Sequence, residues 1–311
     1  MTKIFIDGSS GTTGLRIADR LSAREDVELL TLPAELRRDP GARGEMFRAA
    51  DIVFLCLPDA AAAEAAATAP ADVTLIDTST AHRTAAGWAY GFPELAGRRE
   101  EIKNSRRIAN PGCHASGFIA LAEPLVREGL LSPDAALTCF SVTGYSGGGK
   151  KMIAEYEDPG RPAAFDAPRQ YALGQRHKHL PEMARIAGLE IEPVFCPIVS
   201  DYYSGMAVTV PVFRRDLRGT AEDVKALYKA YYDGPVVRYA ELPEGMIGGA
   251  DLAGRDDMEI LVAGNEDRIL LISRFDNLGK GASGAAIQNM NLRMGAAETA
   301  GLVLGEREEK A

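Results

Sequence analysis

Cysteine is scarce in this chain of 311 residues. The four present, Cys56, Cys113, Cys139 and Cys196, lie far apart with no C-x-x-C pair. That spacing speaks against a disulfide framework and suits a reducing cytoplasm. Positive charge is in deficit: 35 Lys and Arg against 44 Asp and Glu leave a formal net charge of −9. So acidic a chain is a poor partner for nucleic acid or anionic membrane, although a few local cations can still hold a phosphate. No stretch reaches about 18 uninterrupted apolar residues, so no membrane-spanning helix is expected. Asp7 and Gly8 interrupt the first apolar run too early for a signal peptide. Histidine is also rare, at four, and no further His, Cys or carboxylate cluster completes a tetrahedral ligand set; no metal is expected.

What remains is an ordinary globular composition, 46% hydrophobic and 25% charged. The length suggests two domains of roughly 150 residues each. Residues 3–7, 27–31, 51–58 and 73–77 read as short apolar strands. An amphipathic stretch from Leu15 to about Arg24 and the alanine-rich run Ala60–Ala69 read as helices between them. Strands alternating with helices at this pace imply βαβ units and a parallel, Rossmann-type sheet. After about residue 130 the rhythm changes. Residues 135–143, 190–199, 205–213 and 236–240 read as strands, and 258–263 with 268–275 as a hairpin around Gly264-Asn265-Glu266-Asp267. Thr220-Ala-Glu-Asp223 has the form of a capping box opening a helix to about Tyr232. The second part is therefore expected to be an α+β domain with a mixed or antiparallel sheet. Gly281–Leu304 reads as one long helix.

Five local patterns carry chemistry. Gly8-Ser9-Ser10-Gly11-Thr12-Thr13-Gly14 follows a strand and opens a helix. Glycines there let backbone N–H groups approach a phosphate, and the helix N-terminus adds partial positive charge. The loop after the second strand carries Arg37-Arg38, which can neutralise a 2′-phosphate and so favour NADP over NAD; the alternative is a solvated basic loop. Asn110-Pro111-Gly112-Cys113 precedes an apolar run of helical character, which puts Cys113 at a helix N-terminus where a thiolate is stabilised. The other three cysteines sit in apolar strand contexts as small buried hydrophobes. His177-Lys178-His179-Leu180-Pro181-Glu182 places two histidines two apart, with both rings on one face if the chain is extended; one could be the acid/base for chemistry at Cys113. His82 and His114 are weaker candidates. Ser146-Gly147-Gly148-Gly149-Lys150 ends a strand and could cradle an anion, against the alternative of a flexible loop.

The ordered set resembles the N-acetyl-gamma-glutamyl-phosphate reductase family in its shorter form, through nearly the whole chain. The resemblance rests on Gly8–Gly14, residues 76–83, Tyr90–Leu95, Asn110–Cys113, Ser146–Lys150, His177–Glu182, Gly205–Pro211, and residues 280–284 with 288–291. It implies an NADP-binding domain over residues 1–113 and 282–311, and a catalytic and oligomerisation domain over 114–281. It implies a small acyl phosphate as substrate and a homo-oligomer, dimer or tetramer. It assigns Cys113 as nucleophile and His179 or His177 as acid/base. It puts Gly8, Ser10, Gly11, Thr12, Thr13, Gly14, Gln288 and Asn289 at the cofactor, and Ser146, Gly147, Lys150 and Glu182 at the substrate and its phosphate. Residues 200–204 lack an arginine common in the longer form, and Lys150 stands where an arginine is common. Aspartate-semialdehyde dehydrogenase is the alternative enzyme, and His114 directly after Cys113 counts against it. A non-catalytic NADP-sensing protein is the third reading, and iodoacetamide reactivity at Cys113 would discriminate against it.

Overall fold

A computed structural model describes residues 1–306 and divides the chain into two compact units. The first comprises Met1–Gly112 and Ala282–Gly301. Its strands are β1 (Thr2–Asp7), β2 (Val27–Leu30), β3 (Ile52–Leu55), β4 (Thr74–Asp77), β5 (Ala89–Tyr90) and β6 (Arg107–Ala109). Its helices are α1 (Thr12–Ser22), α2 (Pro40–Ala49), α3 (Asp59–Thr68), α4 (Arg98–Asn104) and, last in the chain, α9 (Gly284–Met294). The strands form one parallel sheet in the order β2-β1-β3-β4-β6-β5. β3 and β4 are buried along their whole length, as expected of strands covered on both faces. Phe5, Val53, Leu55 and Leu75 pack with Phe47 of α2 and Ala62 and Ala65 of α3 on one side. Strand order reverses about β1, so a ligand crevice belongs at the carboxyl ends of β1 and β3.

The second unit comprises Cys113–Gly281 with the described residues from Leu302 on. Val303 exchanges hydrogen bonds with Asp256 (2.7 and 2.8 Å), which ties this last segment to the second unit. Residues 307–311, included with the first domain in the sequence reading, lie outside the described residues. The strands are β7 (Thr138–Gly144), β8 (Arg169–Gln170), β9 (Val194–Ser200), β10 (Met206–Phe213), β11 (Val237–Tyr239), β12 (Met258–Gly264) and β13 (Arg268–Phe275). The helices are α5 (Cys113–Arg127), α6 (Gly149–Glu157), α7 (Leu180–Ala187) and α8 (Ala221–Tyr231). The sheet order is β11-β12-β13-β10-β7-β9-β8, and it is mixed: β7/β9 and β11/β12 are parallel, the other pairs antiparallel.

α5 lies on the inner face of this sheet, and Ser273 Oγ donates to the Gly117 carbonyl (3.1 Å). Pro124 sits inside α5 and leaves the Ala120 carbonyl without its helical donor. The Tyr232 hydroxyl at the end of α8 supplies one instead (2.8 Å), and the Tyr228 hydroxyl donates to the neighbouring Leu121 carbonyl. The helix that begins at Cys113 is thus pinned from two sides. The capping box forms as read: Thr220 Oγ1 accepts from the Asp223 N–H, and Asp223 accepts from the Thr220 N–H.

One element departs from expectation. The single helix over 281–304 is instead a π-turn, Gly279–Ser283, followed by α9, which stops at Met294. Gly295 takes a left-handed conformation (φ 71°) and its N–H caps the helix, a stop that only the folded backbone reveals.

Candidate functional site

In the first unit the glycine loop turns at the end of β1. Gly8 has φ 86°, and a Cβ there would overlap the Cys56 carbonyl at the end of β3. Only glycine lets the two strand ends approach this closely. α1 begins at Thr12 after Gly11, with no side chain capping it, so its first-turn N–H groups are available to an outside acceptor. Thr12 Oγ1 is buried there and makes no hydrogen bond among the described residues. Ser10 is exposed, Gly11, Thr12 and Thr13 are half-buried, and Gly14 is buried. These features fit an anionic phosphate.

Arg37 and Arg38 lie exposed after the short 3₁₀ turn Ala34–Leu36. The cation on the loop itself is one that sequence reasoning missed: Arg43 of α2 reaches Asp7 at the end of β1 (2.6 and 3.1 Å). Gln288 and Asn289 are both buried on α9. Gln288 is committed to Glu94 and Glu298 at 2.7 Å each. Asn289 donates to the Gly91 carbonyl (2.9 Å) and to Asn110 Oδ1 (3.1 Å), while its own buried Oδ1 makes no hydrogen bond among the described residues. Such an acceptor fits an amide or hydroxyl donor of a dinucleotide. Asn110 is held from several directions. Its N–H donates to the Asp77 carbonyl (2.7 Å), its Nδ2 to Ala282 (3.0 Å), and its carbonyl accepts from Arg83 Nε (3.0 Å). The segment leading to the cysteine is therefore rigid.

In the second unit Cys113 is the first residue of α5 and half-buried. A Cβ on Gly281 would lie 2.9 Å from the Cys113 Cβ and 3.2 Å from the Asp276 carbonyl, so the π-turn backbone walls one side of the cysteine. None of the four cysteines is in a disulfide. Burial pushes the Cys56 thiol up to about 12 and the Cys139 thiol up as well, which leaves both as inert thiols.

His177 and His179 come together, although not on an extended chain. His179 has helical dihedrals and is the N-cap of α7; the chain is already turning into Leu180-Pro181-Glu182. The turn brings the rings within 4.7 Å, edge to face, and the His179 N–H donates to His177 Nδ1 (3.2 Å). His177 is half-buried, His179 and Glu182 are buried. Both rings pack about His114, at 5.9 and 5.7 Å between centroids. His114 is buried, with Nδ1 2.6 Å from Ser141 Oγ and Nε2 2.7 Å from the Tyr171 hydroxyl. Burial first, and the charge of His177 second, hold its pKa down to about 3. Ser141 and Tyr171 were missed in the sequence: only sheet register brings them together.

Ser146-Gly147-Gly148 is a 3₁₀ turn that feeds α6, not a loose loop. Ser146 is buried and accepts from Asn277 Nδ2 (3.0 Å), whose Oδ1 accepts from the Gly205 N–H (2.8 Å). Gly147 and Lys150 are exposed, and Lys150 stands in the first turn of α6. A cation is unfavourable at that helix end unless an anion joins it. Among the described residues no group of three His, Cys, Asp or Glu is placed to hold a metal ion, and no helix is long and apolar enough to cross a membrane.

Comparison with known proteins places this geometry. Residues 3–105 match the model of the semialdehyde dehydrogenase NAD binding domain, and residues 113–277 that of the semialdehyde dehydrogenase dimerisation domain. The chain is 45% identical over 308 residues to proteins named N-acetyl-gamma-glutamyl-phosphate reductase from Brucella ovis and Brucella canis. Each alignment covers 94% of this chain and 99% of the relative. Among solved structures it is similar to aspartate semialdehyde dehydrogenase II of Vibrio cholerae complexed with ASA (TM-score 0.72, 18% identity, 94% of this chain and 98% of that one). It is also similar to the Candida albicans aspartate semialdehyde dehydrogenase with NADP (TM-score 0.66, 16% identity, 95% and 99%). At those identities the likeness is one of fold.

Proposed function

Because the chain belongs to the N-acetyl-gamma-glutamyl-phosphate reductase family, we propose that it reduces N-acetyl-gamma-glutamyl phosphate to N-acetylglutamate semialdehyde with release of phosphate. The observation that carries the mechanism is Cys113 at the first turn of α5, between the Gly281 backbone and, through His114, the histidine pair. The Cys113 thiolate attacks the acyl carbon; the S–C bond forms, the C–O bond to phosphate breaks, and phosphate leaves. NADPH, when bound, supplies the hydride that converts the thioester to a thiohemiacetal. His179 or His177 holds a proton at the carbonyl oxygen and recovers it as the C–S bond breaks and the aldehyde departs.

The first unit holds the cofactor: Gly8–Gly14 and Thr12 Oγ1 at the phosphates, Arg37 and Arg38 toward a 2′-phosphate, Asn289 Oδ1 toward a donor group. In the second unit Ser146, Gly147 and Lys150 receive the substrate phosphate, and Glu182 steadies the turn bearing the histidines. The same unit carries the oligomer contact. Its outer sheet face exposes Phe140, Val194, Phe213 and Leu270, an apolar surface that suits a second copy of the chain. Thiols at four separated sites suit the cytoplasm.

The test is phosphate-dependent reduction of NADP by N-acetylglutamate semialdehyde, run beside aspartate semialdehyde. Preference for the latter would overturn the substrate assignment. Cys113→Ser should lose turnover while retaining cofactor binding; turnover within tenfold of the parent would overturn the nucleophile.

A further inference from the structure

β9 has an edge that β8 covers only in part. Arg169 and Gln170 pair with Val199 and Ile198, and the Tyr171 N–H reaches the Pro197 carbonyl (3.0 Å). There the ladder stops, because Ala172 turns the chain away with φ 52°. Alternate residues of a strand face the same edge, so the next peptide groups left to satisfy are those of Phe195. A side chain serves them in place of a strand. Gln175 Nε2 donates to the Phe195 carbonyl (2.8 Å), and the Phe195 N–H donates to Gln175 Oε1 (2.9 Å).

The turn that delivers this amide is strained. Gln175 itself has φ 50°, and its N–H donates to the Ala172 carbonyl (3.0 Å). Left-handed dihedrals at two non-glycine residues of one turn are uncommon and persist only where the surroundings over-determine them. Leu173 at the tip is 74% exposed, so packing of the tip does not supply that constraint. The two hydrogen bonds to Phe195 do.

Phe195 joins this clamp to the histidines. Its ring stands edge-on to His177 (5.1 Å between centroids) and to His114 (5.3 Å). The His179 N–H in turn donates to His177 Nδ1 (3.2 Å). One residue is thus gripped at its peptide by Gln175 and at its ring by His177, and only Arg176 separates those two in the chain. A carboxamide suits the place because it offers a donor and an acceptor in the geometry of a peptide; a carboxylate would bring no donor.

We propose that Gln175 is a positioning residue: its carboxamide stands in for the missing rung of β8 and fixes the His177–His179 turn against Phe195 for proton transfer. This rests on the reading of the histidine pair as acid/base.

Two measurements on the full-length chain test it. The first is the NMR spectrum of protein labelled with 13C at histidine Cε1, in which four histidines give four ring signals and His177→Asn identifies one of them. The second is the single-turnover rate of NADP reduction by N-acetylglutamate semialdehyde and phosphate, a rate constant that does not depend on the folded fraction. In Gln175→Ala the His177 signal should move toward that of free imidazole as the ring leaves Phe195, and the rate should fall roughly 10- to 100-fold, with NADP affinity unchanged. Gln175→Gly removes the clamp but takes a left-handed dihedral without strain. It should therefore unfold at higher urea than Gln175→Ala and still show the moved signal and the slow rate. A parent-like His177 signal in either folded variant overturns the proposal. So does a rate that recovers together with stability in Gln175→Gly, since the role would then be structural only. If Gln175→Ala fails to fold, Gln175→Gly decides. A moved signal with a parent-like rate would uphold the clamp and overturn instead the acid/base reading of the pair, so the two failures are distinct.

Discussion

His114 makes a quantitative prediction about acid stability. In the folded chain its pKa is held at about 3, whereas an unfolded histidine titrates near its ordinary value of 6.5. Above pH 6.5 both states are neutral, and the group adds no pH dependence. Between 6.5 and 3 the unfolded chain binds a proton that the folded chain refuses, so stability falls as pH falls. The slope approaches about 1.4 kcal/mol per pH unit for one proton. Between pH 6.5 and 4.5 the parent should therefore lose up to about 2.7 kcal/mol through this residue alone. His114→Gln keeps a donor and an acceptor for Ser141 and Tyr171 but cannot take up the proton. Its own cost, one imperfect buried hydrogen bond of about 1–3 kcal/mol, is the same at every pH. The assay is equilibrium urea unfolding by circular dichroism at pH 7.5, 6.5, 5.5 and 4.5 for both proteins. The stability gap should be largest at neutral pH and close, or reverse, on acidification. Parallel curves would refute the reasoning, because His114 would then be titrating normally inside the fold.

Other substitutions separate the remaining assignments. Gly281→Ala should cost about 1–3 kcal/mol by overpacking against Cys113 and lower turnover with it; a thermal melt and activity at parental levels would show that the π-turn can yield. Arg37→Ala with Arg38→Ala should weaken NADPH roughly tenfold more than NADH, the size of one charge-assisted hydrogen bond of about 1.5 kcal/mol, whereas Arg43→Ala, which frees Asp7, should weaken both in titrations. His179→Asn should slow hydride transfer by about 10²–10⁴-fold and His177→Asn by less; parent-like single-turnover rates in both across pH 6 to 9 would remove the pair from acid/base work. Tyr232→Phe should destabilise the chain by about 1–2 kcal/mol, measured by urea melts, because the Ala120 carbonyl then has no donor.

The alternation of buried apolar runs with helical stretches was legible for β1 to β4 with α1 and α3, because a parallel sheet covered on both faces writes its strands as short uninterrupted hydrophobic segments; α2, α4, β5 and β6 were not read from the sequence. The hairpin around Gly264–Asp267 and the Thr220 capping box were legible for a different reason: each is closed by residues within a few positions of one another. α6, α7 and the two-residue β8 were not, since their patterns are too short to stand out. The helix over 281–304 was overread because Gly295 terminates it through a left-handed dihedral that composition does not announce.

The chain's own residues thus determined a dinucleotide loop, a cysteine after Pro-Gly at a helix start, and a histidine pair, all of them local patterns whose chemistry lies within seven or eight positions. Tertiary structure alone decided what surrounds them. Asp7 and Arg43 are 36 residues apart, Asn110 and Asn289 are 179 apart, and His114 meets Ser141 and Tyr171 only across 27 and 57 residues. Such contacts depend on strand order and register. Those follow from how whole apolar faces bury against each other, and no window of sequence contains that balance.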